Sequence, residues 1–197
     1  MTGTYEWNPM PHQVDVRCPT CEEYALFEFA EIVKISKKED VAFFQESNQF
    51  VYGRFQDSCG HYWHAAIYFA GLHGSPEMAL INLPEGYMPT DWQHSKYMHR
   101  RHRSDLGSVS CRHCGNRFVH NLRWPLDAYY AISYKGKELW AFNRDSAIEL
   151  RDFIESKSRN ISKYQWSNFL LHVPSIFKSH KARGEVTKLI NRLLKSV

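Results

Sequence analysis

No stretch of the 197-residue sequence approaches the roughly 18 consecutive apolar residues that a membrane-crossing helix requires. The opening residues, Met1 to Val16, hold Glu6, Trp7, Asn8 and Pro9 and no apolar run, so no secretory signal peptide is expected. The chain also lacks a glycine-rich phosphate loop, a nucleophile elbow and a His-Glu-x-x-His pair. Nothing in the composition reads as a disordered, low-complexity protein. These absences together predict a cytoplasmic protein with no membrane partner and no common catalytic signature.

Cysteine is sparse. There are five, an odd number, and four of them fall in two C-x-x-C pairs. In an intracellular chain, paired cysteines point to metal rather than to disulfides. What is abundant is aromatic residue: 15% of the chain, within a hydrophobic share of 43%. That content can fill a core and favours β structure. The length suits one domain with appendages or two small ones.

Charge is nearly balanced at +4 overall but unevenly placed. Residues 1–93 carry five Lys/Arg against thirteen Asp/Glu, residues 94–123 seven against one, and residues 143–197 eleven against five. A basic segment following an acidic one points to a polyanion-facing surface. A solvated surface on each half explains the same numbers.

The pairs Cys18-Pro19-Thr20-Cys21 and Cys111-Arg112-His113-Cys114-Gly115 each place two thiolates on one side of a tight turn. Four thiolates complete a tetrahedral zinc site, so the simplest ligand set is Cys18, Cys21, Cys111 and Cys114. It requires the 89 residues between Cys21 and Cys111 to return to one point, and loop closure grows only logarithmically with length. A rival set uses Cys18, Cys21, Cys59 and either His61 or His64, leaving Cys111 and Cys114 to recruit His99 and His102. Four thiolates leave no coordination position for water, which makes the first scheme structural rather than catalytic. For Cys59 alone, a buried apolar role is the plain alternative.

Along the chain, residues 1–13 read as an extension. Tyr24 to Ile35 alternates like one strand, and Phe50–Phe55 and Tyr62–Ala70 read as further strands. Val41–Phe44 is a short apolar run of either type. Residues 71–93 are rich in Gly and Pro and read as loop. Asp105-Leu106-Gly107-Ser108 reads as a turn, Arg117–Leu122 as a strand, and Ala128–Tyr134 with Glu138–Phe142 as a hairpin. Ser146 with Glu149 three residues on signals a helix start. Further helices are expected at Lys163–His172 and from about Glu185, where Val186, Leu189, Ile190, Leu193 and Leu194 share a face.

The order of knuckle, strands, Cys59-Gly60-His61-Tyr62-Trp63 and strand over residues 14–70, with the second knuckle, resembles zinc-ribbon and treble-clef modules. The resemblance implies zinc and an α+β chain. It would comprise a β-rich, ribbon-like module over 14–142, with an insertion at 22–110, and a basic helical tail at 143–197.

Three functions follow. Lys96, Arg100, Arg101, Arg103, Arg112, Arg117 and Arg123, with Tyr97, Phe118 and Trp124 among them, suit phosphate contact and base stacking. The expected function is therefore a zinc protein that binds nucleic acid or a nucleic-acid-handling complex. A zinc-scaffolded protein-interaction adaptor, docking through the helix from Glu185 with its basic flank, is the alternative. Cys111-x-x-Cys114-Gly with His120, Asn121 and Asn143 also looks faintly like an HNH nuclease. No Asp-His or His-His pair stands at that histidine, so an enzyme is the lesser expectation.

Overall fold

The computed structural model describes residues 10–94 and 105–196. The chain is α+β. Its centre is a four-stranded antiparallel sheet in the order β1 (Gln13–Arg17), β2 (Tyr24–Phe29), β6 (Leu106–Ser110), β7 (Arg117–Asn121). The sheet consists of two hairpins, β1–β2 and β6–β7, laid side by side through the β2–β6 pair. Alternation in β2 sends Ala25, Phe27 and Phe29 inward. In β1 the three central residues Val14, Asp15 and Val16 are all buried. Asp15 tolerates burial because its carboxylate accepts from the Tyr24 hydroxyl at 3.0 Å and the Arg144 amide at 2.9 Å.

The segment Asp105–Ser108, read from sequence as a turn, instead opens strand β6. Gly107 is the cause of the misreading. A Cβ there would lie 2.3 Å from the Glu28 carbonyl oxygen and 2.3 Å from the Phe27 ring. The glycine marks close backbone approach within a strand, not a change of direction.

The single strand expected over Tyr24–Ile35 divides at buried Ala30. Its second part, β3 (Glu31–Lys34), joins another sheet in the order β3, β5 (Tyr62–Tyr68), β4 (Val51–Gln56). Between β3 and β4, Val41–Glu46 is the helix α1. Residues 70–92 contain two one-turn helices, α2 (Ala70–His73) and α3 (Pro76–Ala79), and a 3₁₀ turn at Pro89–Trp92. This part has its own aromatic core, in which Phe44, Phe50 and Tyr87 surround Trp92. The Trp92 indole N–H donates to the Ala66 carbonyl at 3.0 Å, so its polar atom is satisfied.

After β7 the hairpin of β8 (Ala131–Tyr134) and β9 (Lys137–Trp140) turns at Lys135 and Gly136, both left-handed (φ 51° and 71°). Helix α4 (Arg144–Glu155) starts earlier than Ser146. Asn143 is the cap, accepting from the Ser146 amide at 3.0 Å while the Ser146 hydroxyl accepts from the Asn143 amide. Glu149, freed of capping, accepts from the amides of Gln165 and Trp166. The helix expected over Lys163–His172 is a 3₁₀ turn at Ile161–Lys163 and the short α5 (Ser167–Leu171), followed by α6 (Ser175–Lys178). The last helix, α7 (His180–Lys195), begins five residues before Glu185 because Ser179 caps it by accepting from the Ala182 amide. Ala182, Val186, Ile190 and Leu194 are buried, and α7 packs on α4. One hydrophobic core runs from β1 and β2 through β8 and β9 to α4 and α7.

Candidate metal centre

Antiparallel pairing of β2 with β6 puts the start of β2 beside the end of β6, with Leu26 opposite Ser110. The turns of the two hairpins therefore lie side by side at one end of the sheet. Those turns are Cys18–Glu23 and Cys111–Asn116, closed by the Cys18 amide donating to Glu23 at 2.8 Å and the Cys111 amide donating to Asn116 at 3.0 Å. Each contains one left-handed residue just after its second cysteine: Glu22 (φ 63°) and Gly115 (φ 73°). The turns thus repeat one conformation, although only the second carries the glycine it favours.

The four sulfurs lie within 4.8 Å of one another. Cys18 Sγ stands 3.7 Å from Cys114 Sγ, and Cys21 Sγ 3.6 Å from Cys111 Sγ. A tetrahedral ion with metal–sulfur bonds of about 2.3 Å has sulfur–sulfur edges of about 3.8 Å. The two measured edges therefore match such a polyhedron, and all the cysteines are free thiols. Cys18 and Cys111 are buried, while Cys21 and Cys114 are half-buried. The Cys111 sulfur also approaches the Tyr24 carbonyl at 3.6 Å.

Acidity within the cluster is split. Burial pushes the Cys18 thiol up, but the Thr20 and Cys21 amides and neighbouring thiols outweigh it and bring it down to about 6. At Cys21 the Glu23 amide favours the thiolate, yet burial and the three surrounding thiols push it up to about 12. Four adjacent sulfurs cannot all carry charge unless a cation compensates them. The donor set fits a metal ion.

The other sequence candidates fall elsewhere. Cys59 lies in the β4–β5 turn and is exposed rather than buried; its amide donates to the Asp57 carboxylate at 2.9 Å. His61 is exposed beside that same carboxylate, at 3.6 Å. His64 is on β5, hydrogen-bonded to the Tyr52 hydroxyl. None of these three joins the cluster. His99 and His102 lie outside the described residues, as do Lys96, Tyr97, Arg100, Arg101 and Arg103.

Arg112 and Arg117 are exposed on the second knuckle and the strand that leaves it. Arg123 is exposed too, but its guanidinium donates to the buried Asp127 carboxylate at 3.1 Å. Asp127 also takes His120 Nε2 at 2.8 Å, and the Asn143 side chain is engaged in capping α4. Trp124 is no free stacking platform, since its ring lies 5.3 Å from Trp140 and 5.7 Å from Phe142.

Sequence reasoning passed over a second group. His12, Glu31 and His94 present ligand atoms within 4.8 Å of one another. They come from the lead-in to β1, the start of β3 and the coil after Trp92, and no spacing motif connects residues so far apart.

No helix among the described residues is long and apolar enough to cross a membrane. No protein-family model, no curated protein and no solved structure matches the chain.

Proposed function

We propose that the chain is a zinc protein of ribbon-like build that binds nucleic acid through basic surfaces on a metal-clamped frame. Zinc is the ion that four thiolates at tetrahedral spacing suit best, and closed coordination gives it a structural role. Among the described residues, the carrying observation is where the cations of α7 stand. The helix turns its apolar side to its own core and leaves Lys181, Lys188, Arg192 and Lys195 exposed. A groove of about 710 Å³ along α7 is lined by His180, Arg183, Lys188, Arg192 and Lys195, with Glu155 the one acidic residue among its described lining. Fixed cations along a rigid helix suit a run of phosphates, with affinity that depends little on base sequence.

The same burial weakens the adaptor reading, because the apolar face it would use for docking is covered by the protein itself. Arg112 and Arg117 offer a second basic patch at the knuckle.

The test is binding of single- and double-stranded oligonucleotides at several salt concentrations. Lys188→Ala with Arg192→Ala and Lys195→Ala should weaken binding to all sequences alike. The dependence of log affinity on log salt should flatten by about 0.7–0.9 for each phosphate that is no longer neutralised. Unchanged affinity and slope in the triple variant, and in Arg112→Ala with Arg117→Ala, would remove the reading.

A further inference from the structure

A second constellation of metal-ligating side chains stands apart from the sulfur cluster, on the wall of a cavity of about 920 Å³. The cavity lies where the central sheet, the second sheet and the helical part meet. Its walls include Ser75 and Pro76 at the start of α3, Trp92 and Trp166. On one wall, His94 Nδ1 is 3.1 Å from Glu31 Oε1, and His12 Nδ1 is 3.4 Å from the same oxygen. The two imidazoles stack face to face, with centroids 3.9 Å apart and planes 11° apart. Both Nδ1 atoms thus stand within 3.4 Å of one carboxylate oxygen.

His12 Nδ1 is buried and has no hydrogen-bond partner among the described residues. A neutral imidazole needs a donor or an electrophile at its bare nitrogen, and a protonated one needs an acceptor in line. The Glu31 carboxylate stands 3.4 Å away without forming an aligned hydrogen bond, and a cation between the two would satisfy both. The other nitrogen of the ring, Nε2, stands 3.3 Å from Glu28 Oε1. The Glu28 carboxylate at the far nitrogen holds the ring with Nδ1 turned toward Glu31. This is the outer-carboxylate arrangement that accompanies metal-bound histidines. The backbone holds it in place: Phe29 donates to the His12 carbonyl at 3.2 Å, and Gln13 pairs with Glu28 in the β1–β2 register. Gly71 leaves room for the Glu28 carboxylate, since a Cβ there would stand 3.2 Å from its Oε2.

Ligand spacing agrees. First-row ions bind nitrogen and carboxylate oxygen at about 2.0–2.2 Å, which gives ligand–ligand edges of about 3.0 Å in an octahedron and about 3.4 Å in a tetrahedron. The two histidine–carboxylate separations span that range.

We propose that His12, Glu31 and His94 bind a divalent first-row transition-metal ion, with Glu28 as the outer carboxylate that orients His12. Among the described residues three side chains would hold the ion, and all three line the cavity. The site differs in kind from the closed four-thiolate cluster. Its mixed imidazole and carboxylate donors suit zinc, iron, cobalt or nickel rather than calcium or magnesium. An open ion beside the indole of Trp166 and the amides of Gln93 and Gln165 would take a small oxygen-donor ligand with a flat uncharged body.

The experiment uses the full chain with its thiolates already saturated by one equivalent of zinc, then titrates Co²⁺ alone. One further equivalent is expected, without thiolate-to-cobalt charge-transfer absorption. Proton NMR of the unmutated protein should show paramagnetically shifted imidazole resonances from two histidines. His94→Ala and His12→Ala should each lose the second equivalent while keeping the first and the melting transition. Glu28→Gln should keep the stoichiometry and weaken affinity about 10–100-fold. Absence of a second equivalent in the unmutated chain overturns the proposal, as does a second equivalent with no shifted imidazole signals. Should His12→Ala fail to fold, the NMR spectrum and His94→Ala decide.

Discussion

Cys18, Cys21, Cys111 and Cys114 carry most of what an individual residue can show. Their spacing announced two pairs, and the structure adds that the pairs meet. Cys59 shows what spacing cannot convey: it precedes a glycine as Cys114 does but lies in an exposed turn of a different sheet. The two environments predict opposite outcomes. Cys59→Ala should change stability by no more than about 0.5 kcal/mol, as surface substitutions do, and should retain the thiolate-bound metal. Cys111→Ala opens a coordination position and uncovers a core position, so metal and folded protein should fall together. Metal analysis and thermal melting of the two variants check this, and metal loss on Cys59→Ala would contradict the placement. His12, Glu31 and His94 were illegible in sequence for a physical reason. They converge only because β2 continues into β3 through buried Ala30, which puts two sheets next to each other.

Elements were legible where one periodicity ran uninterrupted and misread where a single residue had two uses. The second knuckle turn and the Lys135-Gly136 hairpin follow from local backbone preference. Gly107 looked like punctuation because sequence cannot tell a turn glycine from one admitting a neighbouring strand. Gly107→Ala drives a Cβ into the Glu28 carbonyl and the Phe27 ring, and a strand pair cannot move aside as a flexible side chain can. The expected cost is about 3 kcal/mol, the upper end for overpacking, read as a lowered denaturation midpoint. An unchanged midpoint would mean that β2 and β6 are not paired there. The two knuckles give a matched pair of tests. Gly115 has open space where a Cβ would go, so Gly115→Ala reports its left-handed backbone alone and should cost about 1 kcal/mol. Glu22 holds the equivalent conformation without being glycine, so Glu22→Gly should be neutral or stabilising by up to about 1 kcal/mol. Equal destabilisation by both changes would contradict the shared geometry of the turns. The ends of α4 and α7 were displaced by their caps: Asn143 and Ser179 precede the apolar stripe, and the stripe alone marks only where burial begins.

For the molecule as a whole, the four-cysteine cluster closes one end of a sheet whose two hairpins are separated along the chain by the second sheet and its own aromatic core. Sequence showed α+β content and the two cysteine pairs. It did not show that β2 and β6 pair directly, because that pairing depends on a folded unit returning the chain. Removing the metal should therefore act on the central sheet, with the core around Trp92 retained longest. The most direct measurement is the thermal transition of zinc-loaded protein with and without a strong chelator, followed by circular dichroism and paired with zinc analysis and cobalt substitution at the thiolates. One thiolate-bound ion per chain is expected, seen as a charge-transfer band at one equivalent of cobalt. Chelation should lower the transition by roughly 10 °C or more, corresponding to at least about 4 kcal/mol for a chain of this size. Protein with no thiolate-bound ion, and a transition that does not move with chelator, would contradict a metal-clamped sheet.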